Sequence, residues 1–543
     1  MGHLDTLCEL VGVKQPMPPL GLMTVATMLP ANWDLRLIDR NTDDLKESDL
    51  IWADLIMTGG MISQQQDLLR IIDLCHARGK QVAVGGAGPS SSPHVYHSAD
   101  FLLVGEAEGV IDKLVSAWLA GEKKGYFQAE KFTADMTASP VPRFDLMTTD
   151  DYLQVGIQYS RGCPFSCEFC DIIELYGHVP RIKTNEQILA ELDALYDQGY
   201  RGIIYFVDDN FIGNKKAARA LLPHLREWQE KRRFPFQFYT NATLNIADDA
   251  ELLQELRRTN FFSIFIGIES ADADVLTLMN KKQNARRDIA VSVRKIQQAG
   301  MFIAAGFVIG FDNEDDHLAG KTIQLVEQTP IAICMVGLLY ALPNTQLSRR
   351  LIVENRLLDD RSIEALAGRS ESCITGLNFT TKRPREEILS DFREILVRLF
   401  DRRNYFDRVH RSAAMMNTRS AFGSSDLRSI RQDLRRWAHF TWKLHRQHPD
   451  LIGEFWSCAG KCLMMKPASL KAALLMIAIY THLGAFAERA VKEIEDRLAA
   501  AQDCGRDSDC ASQLGDGHRD TAVISRVVLA QNEAQRTIAA RKM

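Results

Sequence analysis

Short apolar runs alternate with amphipathic stretches over residues 1–120, and such alternation is typical of a parallel sheet covered by helices on both faces. The runs that we predict as strands are Asp34–Asp39, Ala53–Thr58, Gln81–Val84 and Phe101–Val104. The stretches that we predict as helices are Pro19–Leu29, Gln64–His76 and Glu108–Ala120. We therefore expect an α/β protein whose first domain, residues 1–120, contains a doubly wound sheet.

A second series of apolar runs and helical patterns covers residues 151–350, after a predicted linker at residues 121–150 that is rich in turn residues. One of its helices opens with a capping box from Thr184 to Gln187. Six β/α units favour a partial, open-sided barrel over a closed barrel of eight, and barrel active sites lie at the C-terminal strand ends. The predicted strands are Gln154–Ser160, Ile203–Val207, Phe236–Thr240, Ser263–Ile268, Phe302–Ile309 and Ile333–Tyr340.

The pattern of the remaining chain is helical, which predicts a helical domain at residues 351–500 and a flexible tail with a short helix at residues 501–543. From Arg402 to Arg446, arginines recur among aromatic side chains. The longest apolar stretch, Ala472–Ala487, is shorter than the ~20 residues that a membrane span requires. We therefore expect no transmembrane segment.

Composition adds the broad class of protein. A hydrophobic content of 46% and a charged content of 25% are ordinary for a soluble globular chain, and 543 residues predict two to four domains. The net charge of −5 gives no electrostatic reason to expect a nucleic-acid partner. The eleven cysteines lack a disulfide-framework spacing and the N-terminus lacks a signal peptide, so we expect a cytoplasmic protein.

The strongest chemical signal is the C-x3-C-x2-C run formed by Cys163, Cys167 and Cys170, directly after the first barrel strand. Three thiolates at this spacing can each bind one iron of a cuboidal iron–sulfur cluster and leave the fourth iron open to another ligand. A zinc site is the alternative, but zinc usually takes four ligands in two pairs, and the Cys458/Cys462 pair lies in a different segment.

The run from Arg161 to Cys170 resembles the signature of the radical S-adenosylmethionine (SAM) superfamily. The resemblance implies a [4Fe-4S] cluster whose open iron binds SAM, with Phe169 packing on the adenine. With the barrel series and the first domain, residues 14–350 resemble cobalamin-dependent radical SAM enzymes of the methyltransferase type. This implies a flavodoxin-like, cobalamin-binding first domain. The helical C-terminal region resembles the extension of a subgroup that includes hopanoid C-2 methylases.

The resemblance also implies cofactor contacts at the strand ends of the first domain, whose backbone would hold the corrin ring. Small residues and glycines recur there, and glycines allow a ligand to approach the backbone closely. The alternative is that these residues only form tight turns between strands and helices. The positions are Thr58, Gly59, Gly60, Gly85, Gly86, Pro89, Gly105 and Glu106.

Other positions match the family's SAM contacts at the barrel strand ends. Asp208, Asp209 and Asn210 follow the second strand, where carboxylates suit the SAM ammonium group, although they could instead cap the next helix. The same resemblance assigns SAM contacts to Asn241 and to Glu269. For Glu269, an ion pair at the rim of the barrel is an equal alternative. Gly306 and Gly310 suit a close backbone approach to adenine, or merely a bulge.

Two features depart from the family pattern. The first domain lacks the usual apolar first strand, and Leu4–Val11 reads as a helix, so we expect either a start codon assigned too late or an incomplete sheet. No Asp-x-His-x-x-Gly motif supplies a histidine to cobalt, so either cobalamin binds without this ligand or cobalamin is not bound.

The function implied by the resemblance is methylation of an unactivated carbon through a 5′-deoxyadenosyl radical and methylcobalamin, with an electron donor such as flavodoxin or ferredoxin. Three alternatives stay open: a cyclase or rearrangement enzyme without methyl transfer, an RNA-modifying enzyme suggested by the Arg402–Arg446 region, and a non-catalytic sensor. The substrate is expected to be a small molecule. The arginine-rich helices and the apolar run Leu474–Tyr480 favour a lipid-like substrate and peripheral membrane contact, unless that run is a buried core helix.

Overall fold

The computed structural model describes residues 4–358, 376–416 and 427–504. Four parallel strands form the N-terminal sheet in sequence order: β1 Leu55–Gly59, β2 Gln81–Gly85, β3 Phe101–Val104 and β4 Gly125–Gln128. The α-helices of this region are Asp5–Val11, Leu20–Met28, Glu47–Trp52, Gln65–Ala77, Ala87–Ser91 and Ile111–Leu119. The three predicted helices and the helical reading of residues 4–11 are confirmed.

Two details of this sheet differ from the prediction. Residues 34–39 form no strand. Residues 34–39 would be the second strand of a flavodoxin-like sheet, and in its order 2-1-3-4-5 the second strand pairs only with the first. The described residues before residue 34 form helices, so they offer residues 34–39 no first strand as a partner. The predicted linker contains β4, which pairs with β3 from Phe101–Gly125 to Val104–Gln128. The sheet therefore extends past residue 120, because the Gly121–Lys124 segment is a turn that returns the chain to the sheet.

The central region is a six-stranded parallel sheet whose two edge strands do not pair with each other. This is the open-sided barrel that the sequence predicts, and all six predicted strands are confirmed. The strands are β5 Gln154–Ile157, β8 Gly202–Phe206, β9 Phe236–Asn241, β10 Phe261–Glu269, β11 Phe302–Ile309 and β12 Ile333–Leu338, and a separate ribbon of β6 Ser160–Arg161 and β7 Arg181–Ile182 follows β5. The spatial order of the sheet is β12-β11-β10-β9-β8-β5. The helices between them are Ile172–Leu175, Asn185–Asp197, Lys215–Lys231, Ala250–Arg258, Ala273–Leu278, Lys282–Ala285, Ile289–Gln298 and Leu318–Gln328.

The C-terminal region is helical in its described residues. The helices are Gln346–Val353, Arg385–Phe400, Arg402–Met415, Leu427–Gln447, Ile452–Met465 and Leu470–Cys504. The chain divides into two compact units, residues 1–487 and 488–543. Of the predicted tail, only residues 501–504 are described, and they belong to the last helix; the rest lies outside the described residues. The domain boundaries drawn from the sequence stay a prediction.

The arginine-rich region is largely integrated into the fold. Arg408 is fully buried. Its guanidinium pairs with Glu327 at 2.7 Å and donates a hydrogen bond to the Ile331 carbonyl oxygen. Tyr405 and Phe406 are buried beside it. On the helix Arg402–Met415, these internal contacts account for arginines beside aromatic residues, so the pattern there does not require an external ligand.

One described helix is longer than the apolar stretch found in the sequence. By length and composition, Pro467–Ala499 could cross a membrane, with a mean hydropathy of 1.6 over its most apolar window of 18 residues. The helix runs from Leu470 to Cys504, so it continues the 16-residue apolar run mainly on its C-terminal side, through polar residues. Of its most apolar window, 56% is buried inside the protein. Burial of this kind corresponds to the core-helix alternative.

Candidate active site

The three cysteines lie on a loop that a small antiparallel ribbon closes at its base. The ribbon pairs β6 Ser160–Arg161 with β7 Arg181–Ile182. Gly162 starts the loop at φ +99°, and a Cβ there would lie 3.0 Å from the Gly177 carbonyl oxygen. The Gly162 amide donates to Asp209 Oδ2 at 3.0 Å. The loop is therefore fixed to the end of β8 beside its first cysteine.

The thiols are held in a sheltered environment. Cys167 is buried, and Cys163 and Cys170 are half-buried. Burial raises the pKa of all three thiols, and for Cys167 the nearby Lys281 ammonium partly opposes this rise in pKa. A bound metal is therefore needed to hold them as thiolates, since metal ligation requires deprotonation.

The arrangement gives no support to the zinc alternative. Among the described residues, no three His, Cys, Asp or Glu side chains converge on one point where a single ion could bind. A zinc ion requires such convergence of its ligands, whereas each thiolate of an iron–sulfur cluster binds its own iron. Two amide groups face the sulfurs: Asn210 Nδ2 lies 4.0 Å from Cys163 Sγ, and Gln283 Nε2 lies 3.8 Å from Cys167 Sγ. Sequence reasoning missed Gln283.

Asp208 is a fully buried carboxylate at the end of β8. Its Oδ1 accepts from the amides of Tyr159 at 2.8 Å and Ser160 at 2.5 Å. Burial raises the pKa of Asp208 to about 8. Its Oδ2 has no hydrogen-bond partner among the described residues, and neither has Asn210 Oδ1. These two buried oxygens lie near the cysteine loop, and Asp208 Oδ2 becomes an acceptor when a cation such as a SAM ammonium group favours the ionised carboxylate.

The capping alternative for this segment is wrong. The helix Lys215–Lys231 is capped by Asn214, whose side chain accepts from the Ala217 amide at 3.1 Å. Asn241 instead supports Asp208, because its Nδ2 donates to the Asp208 carbonyl oxygen at 2.9 Å and to the Tyr205 hydroxyl at 2.7 Å.

Glu269 lies at the end of β10 in a left-handed conformation, with φ +71°. Its carboxylate pairs with Lys281 Nζ at 2.6 Å, and both side chains are buried. This is the ion pair that the sequence left open as an alternative; a SAM contact of Glu269 stays a prediction. Gly267 makes room for the pair, since a Cβ there would clash with Glu269 Oε1. Lys281 was not foreseen.

Phe169 lies at the same side of the site as this pair. Its ring is 5.8 Å from the ring of Phe311, which follows β11, and 5.9 Å from Lys281 Nζ. Gly306 pairs with Gly267 across β10 and β11, and Gly310 takes φ +113° where a Cβ would clash with Leu377. The loop after β11 therefore approaches the cysteine loop through Phe311, and the adenine contact of these residues stays a prediction.

The glycines at the strand ends of the N-terminal sheet serve internal packing. A Cβ on Gly59 would lie 2.7 Å from the Gly85 carbonyl oxygen, and one on Gly86 would lie 3.1 Å from the Gly60 nitrogen. Gly105, at φ +93°, would meet Ala129 Cβ at 2.9 Å. The tight-turn alternative thus accounts for these glycines, while Gly86 and Gly105 also leave exposed backbone without side chains. Such a surface fits a flat ligand.

The remaining predicted cobalamin contacts differ in exposure. Thr58, Gly60 and Gly85 are half-buried, and Pro89 is buried in the helix Ala87–Ser91. Glu106 is buried, and its carboxylate pairs with Arg161 at 3.1 Å and with Arg181 at 2.8 Å. Its side chain is therefore engaged with the base of the cysteine loop, and only its backbone is left for the predicted cradle.

Comparison with known proteins places this site in a family context. The model of the radical SAM superfamily matches residues 157–326, and a domain of unknown function (DUF4070) matches residues 345–496. An uncharacterized methyltransferase of Synechocystis is 38% identical over 496 residues, which cover 91% of this chain and 91% of that protein. The hopanoid C-2 methylase of Rhodopseudomonas palustris is 41% identical over 352 residues, covering 64% of this chain and 67% of that protein.

A solved structure shares the architecture. The cobalamin-dependent SAM radical enzyme OxsB, with aqua-cobalamin and SAM bound, superimposes with a TM-score of 0.57 over 91% of this chain and 80% of that chain. The sequence identity is 16%, so the likeness concerns the fold.

Proposed function

This chain belongs to the radical SAM superfamily, and from that membership we propose that it is a cobalamin-dependent methyltransferase acting on an unactivated carbon of a small molecule. The observation that carries the proposal is the juxtaposition of the cysteine loop with the strand ends of the N-terminal sheet through Glu106. The methyltransferase relatives that match 91% and 64% of the chain support the same reaction class. The fold likeness to a cobalamin-bound enzyme supports the cofactor.

The residues that would hold each group are specific. Cys163, Cys167 and Cys170 would hold the cluster. Asp208 and Asn210 would accept hydrogen bonds from SAM, and the backbone at the ends of β1, β2 and β3 would hold the corrin. When bound, the cluster and one SAM would supply a hydrogen-abstracting carbon radical, and cobalamin, methylated by a second SAM, would supply the methyl group; each turnover would take two electrons, one for the cluster and one for cobalamin, from a donor such as flavodoxin or ferredoxin.

The chain's own contribution is orientation and shielding. Asn241 holds the Asp208 backbone, and the Tyr159 and Ser160 amides hold the Asp208 carboxylate. The positions of these atoms are set before a ligand arrives, which lowers the ordering cost of binding. Asp208 and Lys281 are both buried, and burial beside the cysteine loop limits the access of water, which would quench radical chemistry.

The experiment that tests this proposal compares metabolites of cells with and without the gene, grown on methionine with a labelled methyl group. Methyl transfer predicts a gene-dependent metabolite that carries one labelled methyl. A gene-dependent product with an unchanged carbon count would instead establish cyclisation or rearrangement. A labelled nucleoside in digested RNA would establish RNA modification.

A lipid-like substrate is favoured by exposed apolar side chains on two C-terminal helices, which are Trp442, Trp456, Leu463, Met464 and Met465. Cationic groups accompany it: the Arg446 guanidinium lies 5.0 Å from the Trp442 ring, and Lys461 is exposed on the same helix as Trp456. Tryptophan and methionine beside cations suit the headgroup region of an anionic bilayer. Peripheral contact of this kind agrees with a cytoplasmic enzyme.

Vesicle co-sedimentation tests this surface. We expect binding to phosphatidylcholine vesicles that contain phosphatidylglycerol, and loss of binding in the Trp456→Ala/Met464→Ser double variant. Leu278→Ser, which removes an exposed leucine from the barrel, is the matched control and should bind as the unaltered protein does. Equal binding by all three proteins, or none by the unaltered protein, would remove the membrane contact from the proposal.

A further inference from the structure

Four charged side chains join the N-terminal sheet to the base of the cysteine loop, and we call them the clamp. Glu106 and Glu108 follow β3. Arg161 and Arg181 are direct partners on the β6–β7 ribbon, one at each end of the loop that carries the cysteines. The clamp therefore connects the edge proposed to hold cobalamin with both ends of the loop proposed to hold the cluster.

The contacts are divided so that each carboxylate oxygen has a cationic partner. Glu106 Oε1 accepts from Arg161 at 3.1 Å, and Glu106 Oε2 accepts from Arg181 at 2.8 Å. Glu108 Oε1 accepts from Arg161 Nη2 at 2.9 Å, and Glu108 Oε2 accepts from Arg161 Nη1 at 2.9 Å. Arg161 thus forms a two-pronged pair with Glu108 while it also contacts Glu106. A lysine could not make this set, because its ammonium is a point charge without the planar fork.

Neighbouring groups add further hydrogen bonds to the clamp. Gln158 Oε1 accepts from Arg161 Nε at 2.8 Å, and Ser139 Oγ donates to Glu108 Oε1 at 3.1 Å. Arg181 donates to the carbonyl oxygens of Ala134 at 2.9 Å and Tyr176 at 3.1 Å. Few conformations satisfy all of these bonds at once, so the clamp defines one arrangement of the loop.

Burial makes the clamp sensitive to the loss of any one member. The side chains of Glu106, Glu108, Arg161 and Arg181 are 4%, 8%, 13% and 16% exposed. Two carboxylates and two guanidiniums balance in charge. Burial raises the pKa of Glu108, but the hydrogen bonds and the positive charge of Arg161 lower this pKa by more. The pKa of Glu108 therefore lies below its usual value. Removing one partner leaves a buried charge uncompensated, which is strongly unfavourable.

We propose that the clamp is a positioning device that sets the separation and orientation of the iron–sulfur cluster relative to the cobalamin. This inference rests on the proposed function and deepens it. The side chains of the four residues bond to one another and to neighbouring protein groups, so they act through the β6–β7 ribbon and Gly105. A methyl donor and a radical site on separate β/α regions must be held at a fixed distance for the transfer to be productive, and the clamp supplies that constraint.

Hydrogen–deuterium exchange of the apoprotein tests the clamp without any cofactor. We expect amides of residues 162–180 to exchange about tenfold faster in Glu108→Gln and in Arg181→Gln, because either change opens the base of the loop. Amides of the central strands β9 and β10 should be unaffected. Glu47→Gln, which breaks the exposed pair with Arg78 at 2.8 Å in the same N-terminal region, is the control and should change neither segment.

The result that would overturn the clamp is unchanged exchange of residues 162–180 in both variants. Faster exchange of the whole barrel to the same degree would also overturn it, because that pattern reports general destabilisation. Since the two variants act on opposite sides of the clamp, failure of one to fold leaves the other as the test.

Pulsed electron paramagnetic resonance gives a readout of distance in the loaded protein. With the cluster reduced and cob(II)alamin bound, we expect a narrow distance distribution between the two paramagnets in the unaltered protein and in Glu47→Gln. We expect a broader distribution in Glu108→Gln. An unchanged distribution in Glu108→Gln would contradict the positioning role. Failure of the unaltered protein to bind cobalamin would contradict the proposed function, while the exchange experiment would still decide whether the clamp holds the loop.

Discussion

Glu314 places a carboxyl group in the interior directly after β11. Its Oε2 accepts from the Gly310 amide at 2.7 Å, and its Oε1 has no hydrogen-bond partner among the described residues. Burial raises the pKa of Glu314 from 4.5 to about 8. Because the pKa of Glu314 is higher in the folded than in the unfolded protein, its carboxyl contributes to the free energy of unfolding. This contribution is fully present below about pH 4.5 and is lost as the pH rises through about 8.

The Glu314→Gln variant should therefore become progressively more stable than the unaltered protein as the pH rises from 5 to 9, since glutamine keeps the acceptor for Gly310 and carries no charge. We expect a difference on the order of 3 kcal/mol at the alkaline end. Urea unfolding midpoints across this pH range measure it. A pH-independent difference between the two proteins would show that Glu314 is ionised in the folded state throughout.

Gly162 shows why one residue type is needed at the start of the cysteine loop. Alanine there would combine a left-handed φ of +99° with close contacts to three carbonyl oxygens, at 3.0 to 3.2 Å. We expect Gly162→Ala to lose most of its iron after anaerobic reconstitution, as measured by iron and sulfide content.

Gly199→Ala is the matched control for Gly162. Gly199 has a similar φ of +85° but no atom within 4 Å of the added Cβ. This variant should lose about 1 kcal/mol of stability through the left-handed strain alone and keep its full iron content. Full iron in Gly162→Ala would show that the loop adapts.

At the residue scale, the sequence identifies what is local and misses what is distant. The three cysteines and the Asp208–Asn210 segment were recognisable because their spacing and their place after a strand are sequence properties. The partners of Glu106 and Glu269 were not, because ion pairs with Arg161 and Lys281 depend on which loops the fold brings together. Charge patterns along the chain do not encode such pairs.

At the scale of elements, the six barrel strands were predictable because each is a buried, β-branched and aromatic run between helical patterns. Their observed bounds differ from the predicted bounds by a few residues. The predicted strand at Asp34–Asp39 failed for a non-local reason. Its alternation suits a strand, but a strand needs a neighbour for its hydrogen bonds. In the order 2-1-3-4-5 that neighbour is the first strand, and the described residues before residue 34 form helices.

Helix packing gives a further prediction at this scale. Glu327, on the helix Leu318–Gln328, is the counter-charge of the fully buried Arg408 on the helix Arg402–Met415. Glu327→Gln leaves that guanidinium unpaired and should destabilise the protein by about 2 kcal/mol, less than for a fully buried pair because Glu327 is partly exposed.

Thermal unfolding measures this loss. The control is Glu227→Gln, which breaks the exposed i,i+4 pair with Lys231 and should change the stability by about 0.3 kcal/mol. If the two variants unfold alike, the barrel and the C-terminal helix do not depend on Arg408 for their association.

At the scale of the whole molecule, two β/α regions present their strand ends to each other, and the contact runs through Glu106, Arg161 and Arg181. The radical SAM resemblance predicted both regions and their cofactors. It did not predict how they are joined, because the joining residues have no motif of their own. The substrate stays outside what the fold encodes, since one fold can carry many different functions.

The most direct test of the central claim follows the methyl group of SAM on the protein itself. The anaerobically reconstituted protein, loaded with reduced cobalamin and given SAM with an isotopically labelled methyl group, should yield labelled methylcobalamin. It should also release 5′-deoxyadenosine after reduction of the cluster. Release of 5′-deoxyadenosine with no label on the cobalamin would contradict methyl transfer and leave cyclisation or rearrangement as the reaction.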